Sequence, residues 1–164
     1  MEEKKYILFI FLICLFTVCK LYGQGDVTSI GLQVTQPKGL DISNAVQILQ
    51  KRLEQAVVLN DIDKGNSPFL LETEILLISC QSTPSTPTQV IAEIEIICSI
   101  TDKIKDRTIQ QVDFQFKGID STRDKAIISA IKQLQARNPR LKKFISVGKE
   151  KLIEEYLPLS QGNH

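Results

Sequence analysis

Three carboxylates, Asp61, Asp63 and Glu72, stand at positions 1, 3 and 12 of a calcium-loop pattern, and all three are hard oxygen donors. The pattern breaks elsewhere. Its sixth position, which needs glycine for a sharp turn, is Asn66; Gly65 falls one place early, and Pro68 leads into a β-rich run instead of a helix. These residues read as a solvated turn. A second set, Glu72, Glu74, Glu93 and Glu95, could divide acid and base work if two of its members were held close. With the loop 81–88 centred near Pro84 and Ser85, Glu74 is expected roughly opposite Glu95. No histidine, aromatic cluster or glycine-rich loop converges on the pair, so a solvated strand face is expected there. The one histidine is the last residue, His164, which removes the usual serine and cysteine triads and most zinc sites. Gly118 stands alone at a strand-to-helix turn, without the companions of a nucleotide loop, and reads as a backbone conformation closed to bulkier residues. No catalytic residue, metal or cofactor is therefore expected.

Two further groups carry chemistry of other kinds. Arg137, Arg140, Lys142 and Lys143 surround the start of a helix, where the dipole disfavours cations, and read either as a solvated basic corner or as a contact for lipid headgroups or polymer carboxylates. Leu76, Ile78, Ile91, Ile97 and Ile109 share the parity of the glutamates and leave an apolar patch on the sheet face opposite the core. Either a partner covers that patch, or the third helix or the amino-terminal segment folds across it.

The elements that position these residues follow from periodicity. Val27 to Thr35 alternates imperfectly and ends at Pro37-Lys38-Gly39, a first strand closed by a turn. Ser43 is expected to cap a helix with Ile42, Ala45, Val46, Leu49, Leu53, Ala56 and Val57 on its buried stripe. Phe69–Cys80, Gln89–Ile100 and Arg107–Lys117 read as a three-strand meander, the last having Val112, Phe114 and Phe116 on one face. Ser121 and Asp124 have capping-box spacing before a second helix, and Asn138-Pro139 opens a third. The predicted fold is α+β: a two-layer sandwich with a mainly antiparallel four-stranded sheet, order β-α-β-β-β-α-α, and helices on one face. In that register Cys80 lies near Gln89 and Cys98 near Leu71, so their separation approaches ~30 Å against a ~7 Å limit for bridged Cα atoms, and no disulfide joins them. Cys98 is expected on the core face and Cys80 with the glutamates.

The 164 residues, 43% of them hydrophobic, suit one core. Ile7 to Val18 is apolar, follows Lys4 and Lys5 and is shorter than the ~20 residues that span a bilayer, so residues 1–23 read as a signal peptide, with cleavage after Gly23 and residues 24–164 as a single domain. Cys19 follows Val18 instead of the small residue a lipidation site requires. After cleavage, residues 24–120 hold 8 basic and 13 acidic side chains and residues 121–164 hold 9 and 4, a neutral chain with opposed halves. Export argues against a nucleic-acid partner.

Phe116-Lys117-Gly118-Ile119-Asp120-Ser121-Thr122-Arg123-Asp124-Lys125-Ala126, continuing to Ala130-Ile131, resembles the strand, Lys-Gly turn and Ala-rich helix of envelope proteins with a domain similar to the curli secretion channel subunit. Related folds occur in activator lipoproteins of peptidoglycan synthases and in the amino-terminal domain of TolB. The resemblance covers strand order over residues 24–157. Asp120 stands where a second glycine is usual, and the pore-forming hairpins are missing, so channel formation is not implied. The resemblance implies an envelope-associated, non-catalytic domain, periplasmic or at the outer membrane. The expected function is a protein-binding or accessory module with an envelope protein partner, without nucleic acid; peripheral membrane association and homo-oligomerisation are further expectations. The alternative is a small periplasmic hydrolase or ligand-binding protein with its pocket between helices and sheet.

Overall fold

The computed structural model describes residues 30–157. The expected leader, its cleavage point, Cys19, Val27 and His164 lie outside them. The described chain runs β1 (Gln33–Val34), α1 (Ser43–Val58), β2 (Phe69–Ser82), β3 (Val90–Asp102), β4 (Arg107–Asp120), α2 (Arg123–Ile131) and α3 (Pro139–Tyr156). The sheet order is β1-β2-β3-β4. The fold is α+β, but the sheet is mixed: β1 runs parallel to β2, while β2, β3 and β4 are antiparallel neighbours. Parallel pairing follows from α1, which carries the chain back to the end of the sheet where β1 began.

The first strand is shorter than its alternation suggests. Its flanks are held by isolated bridges, Gly31 to Asp63 in the loop before β2 and Lys38 to Glu74 of β2. Gly39 follows the second bridge at φ 98, and a Cβ there would sit 2.2 Å from the Ile75 carbonyl oxygen, so only glycine fits. Helix α1 has Ile42 at its amino-terminal cap with no side-chain bond; Ser43 is already helical. Thr122, not Ser121, caps α2, its hydroxyl accepting from the Lys125 amide at 3.4 Å. Asn138 caps α3 by accepting from the Arg140 and Leu141 amides at 2.9 and 3.2 Å, and Pro139 follows as the first helical residue.

All three helices bury their stripes against one sheet face. Phe69, Leu71 and Ile75 of β2, Ala92, Ile94, Ile96, Cys98 and Ile100 of β3, and Phe114 of β4 meet Leu49, Leu53, Ile127, Ile131, Leu141 and Ile145 in one core. Each such aliphatic side chain contributes roughly 1.5–3 kcal/mol by leaving water. Gly118 does not end β4, which continues to Asp120, and its role is not a special backbone angle. A Cβ at Gly118 would lie 1.9 Å from the Ala126 carbonyl oxygen, so its absence lets α2 rest on the strand backbone.

Two register shifts decide which side chains reach the opposite face. Leu77 pairs with Ile94 but Ser79 pairs with Glu93, leaving Ile78 as an extra residue. Ile100 pairs with Gln110 but Thr101 pairs with Thr108, leaving Ile109 extra in β4. Each shift reverses the parity beyond it. Cys80 consequently pairs with buried Ala92, not near Gln89, and leaves the parity of Glu72 and Glu74; Cys98 pairs with Thr73, not Leu71. Both thiols are free, Cys80 exposed and Cys98 buried.

Candidate functional site: the open face of the sheet

The outer face is built from alternate residues of the three long strands, and among the described residues no helix lies over it. Leu76 stands opposite Glu95, and Ile97 is flanked by Glu74 on β2 and Asp113 on β4. Glu74 is therefore not opposite Glu95; the pairing is two residues further along than the expected turn centre placed it, and the two carboxylates are diagonal neighbours. At the other end Ile91 lies between Gln81 and Ile119. Leu76 is 38% exposed, Ile78 50% and Ile119 52%, while Ile91 and Ile97 are half-buried. Of the five apolar residues expected to share a patch, Ile109 is set apart: it is the extra residue of its bulge and packs against the core cluster. Ile119 belongs to the face and escapes the sequence reading because the strand seemed to stop at Gly118. The signal that could have found it is the unbroken alternation Gln115, Lys117, Ile119.

Three of the carboxylates on this face, Glu72, Glu93 and Glu95, are held by cross-strand neighbours. Glu72 accepts from the Thr101 hydroxyl at 2.7 Å and lies 3.5 Å from the Lys103 ammonium. Glu93 accepts from Ser79 at 3.4 Å and pairs with Lys117 at 3.5 Å, and Glu95 accepts from the Gln115 amide at 3.4 Å. The face thus alternates aliphatic side chains with tethered acids. Asp63, one of the three calcium-loop candidates, turns back to accept its own Gly65 amide at 3.0 Å, while Glu72 is committed to β3. The 83–89 turn beside this face closes on itself: the Thr83 amide donates to the Gln89 carbonyl at 2.7 Å, the Gln89 amide donates to the Thr83 hydroxyl at 3.1 Å, and the Ser85 hydroxyl donates to the Pro87 carbonyl at 3.0 Å.

Elsewhere, Cys98 sits in the core with the Thr73 hydroxyl 3.8 Å from its sulfur, and burial pushes its thiol up to about 11. The Ser121 amide and hydroxyl hold Asp120 below the usual carboxylate range. The basic corner is divided. Arg140 lies 5.2 Å from the Phe114 ring centre and donates to the Asp113 carbonyl at 3.2 Å, Lys142 and Lys143 are exposed, and Arg137 faces a groove on the helix side.

Over the described residues the molecule is a two-layer α+β protein with helices on one face of its sheet and none of its described elements on the other. No protein-family model matches the chain, and no curated protein matches it. Solved structures of low identity match it weakly. A minor lipoprotein from Acinetobacter baumannii is 14% identical, covers 63% of this chain and 87% of its own, and has a TM-score of 0.41. A protein from Xanthomonas campestris assigned to the DUF330 family is 15% identical, with coverages of 78% and 90% and a TM-score of 0.43. A dodecameric PelC variant from Paraburkholderia phytofirmans is 10% identical, with coverages of 74% and 86% and a TM-score of 0.44. These values describe a likeness of architecture and carry no argument about activity or partners. The finer groups named above rest on the short sequence resemblance alone. No described helix is long and apolar enough to cross a membrane.

Proposed function

We propose that this chain is an exported, non-catalytic envelope module that docks a protein partner on the open face of its sheet. One observation carries the reading: aliphatic side chains are exposed at both ends of this face, Leu76 and Ile78 by 38 and 50% near half-buried Ile97, and Ile119 by 52% beside half-buried Ile91. A monomer gains nothing by presenting aliphatic side chains to water together, whereas a partner that covers them removes that cost. Glu72, Glu74, Glu93, Glu95 and Asp113 share the same face, so the occupant is a protein with an apolar centre and a basic rim. The apolar, weakly basic leader expected at residues 1–23 supports export.

The test is site-directed. A photo-crosslinker placed at Glu74 is expected to trap one protein in native envelopes, and the same probe at Lys142, on the helix layer, is expected to miss it. Leu76→Asp or Ile91→Asp should abolish the crosslink while the thermal melt stays cooperative. Equal trapping at both sites, or a Leu76→Asp protein that no longer folds, would show that the face is not a docking surface.

A further inference from the structure

One concavity lies away from the sheet. A groove of about 810 Å³ lies on the helix layer, between the carboxyl-terminal half of α1 and the link from α2 to α3. Lys51, Arg52, Lys64 and Arg137 line it. Arg52 has a structural task, donating to the Ile131 and Leu134 carbonyls at 3.2 and 3.0 Å where α2 ends. The other three have none: among the described residues Lys51, Lys64 and Arg137 form no ion pair and no side-chain hydrogen bond. The contrast with the sheet and hairpin is plain, since Lys103, Lys105, Arg107 and Lys117 each pair with a carboxylate there. Glu54, the one acid on the lining, accepts from Gln50 at 3.2 Å.

Beside these cations Val58 and Leu59 stand 52% and 47% exposed, adjacent in sequence at the last turn of α1. A small soluble anion would use the cations and leave the aliphatic pair wet. A surface that is anionic and immediately apolar beneath uses both, and that is the chemistry of a bilayer bearing acidic headgroups.

We propose that this groove is a peripheral docking site for the surface of an anionic phospholipid bilayer, with Lys51, Lys64 and Arg137 at the headgroups and Val58 and Leu59 entering the acyl boundary. The site lies in the helix layer, and its standing is independent of the partner on the sheet.

Co-sedimentation of the processed, exported protein with vesicles decides it. Vesicles of phosphatidylcholine containing one-third phosphatidylglycerol should bind it, with affinity falling as salt rises, and pure phosphatidylcholine should not. Replacing Lys51, Lys64 and Arg137 together with Gln should weaken binding by about a hundredfold, near fivefold per charge. Leu59→Ser should weaken it several-fold with the charges intact. Should the triple variant not fold, Lys64→Gln alone, in an exposed loop, should show the single fivefold step. Binding that is unchanged in these variants, or absent from the acidic vesicles, overturns the proposal. Capture by soluble polyglutamate without vesicle binding would assign the groove to an acidic polypeptide, and displacement by inorganic phosphate at matched ionic strength would assign it to a soluble anion.

Discussion

Asp102 is fully buried at the end of β3 and is given every partner its carboxylate can use. The Ile104 and Lys105 amides donate to Oδ1 at 2.9 and 3.2 Å, the Tyr156 hydroxyl donates to Oδ2 at 2.6 Å, and the Arg107 guanidinium lies 3.9 Å away. Tyr156 also packs on Phe69, ring centres 5.0 Å apart, so this bond fastens the end of α3 to the β3–β4 turn. Glu155, beside it on α3, takes Lys105 and Arg107 of the same turn. Burial pushes the Tyr156 phenol up to about 12, with the Asp102 hydrogen bond and charge adding to the effect. A group raised in the fold stabilises it fully below its unfolded value of about 10, and that contribution disappears as pH rises toward 12. Tyr156→Phe should therefore lower stability by about 1–2 kcal/mol at neutral pH, because a buried acceptor loses its donor. Urea unfolding curves of the two proteins should converge between pH 10 and 12; curves that stay parallel would mean the bond does no stabilising. Lys105, Arg107 and Glu155 face the same ring and are common to both proteins, so the difference isolates the phenol.

At the scale of elements, β4 is a strand of 14 residues at the edge of the sheet among the described residues. Such an edge invites pairing with another chain. Here the helix layer reaches around it: Lys151 donates to the Ile109 carbonyl at 3.4 Å, Arg140 to Asp113 at 3.2 Å, and Gln133 to Lys117 at 2.5 Å. The spacing of four caps alternate outward carbonyls, and two of the three caps are positively charged. Removing all three with Ala should leave the core intact and raise self-association through the edge, seen as concentration-dependent growth of the sedimentation coefficient. A variant that stays as monodisperse as the parent would show that the edge is guarded some other way. These long-range caps were not legible in the sequence, since Arg140 and Asp113 are 27 positions apart and neither side chain follows a local rule. What was legible is periodic: the stripe of α1, the Val112-Phe114-Phe116 alternation and the Asn138-Pro139 start all stand where spacing put them. The bulges at Ile78 and Ile109 were not, because an inserted residue leaves composition unchanged while it reverses every side chain after it. That single effect accounts for the separation of Ile109 from the apolar patch and for the pairing of Cys80 with Ala92.

Over the whole molecule charge is divided between the two layers, with Lys51 and Lys64 of the acidic sequence half joining the basic carboxyl-terminal residues on the helix side. The sheet face carries Glu72, Glu74, Glu93, Glu95 and Asp113, and the helix layer carries Lys51, Lys64, Arg137, Lys142 and Lys143. A sheet and the layer packed on it are separated by about 10 Å. The Debye length in physiological salt is about 8 Å, so neither surface strongly sets the potential at the other. The core between them is closely packed, with Leu49, Ile96 and Ile127 wholly buried, and a substitution on one exterior need not disturb its opposite. The two proposed contacts should accordingly be separable. Leu76→Asp should lose the protein crosslink and keep wild-type vesicle affinity, while the Lys51, Lys64 and Arg137 to Gln protein should do the reverse. Combining them should lose both, with stability changes that add within about 0.5 kcal/mol. The measurements are vesicle sedimentation, crosslinking yield and urea midpoints on the same four proteins. If Leu76→Asp changes vesicle affinity more than about twofold, the faces act as one surface. Independence would instead allow the module to bind an anionic bilayer by its helices while its sheet holds a partner on the side away from the membrane.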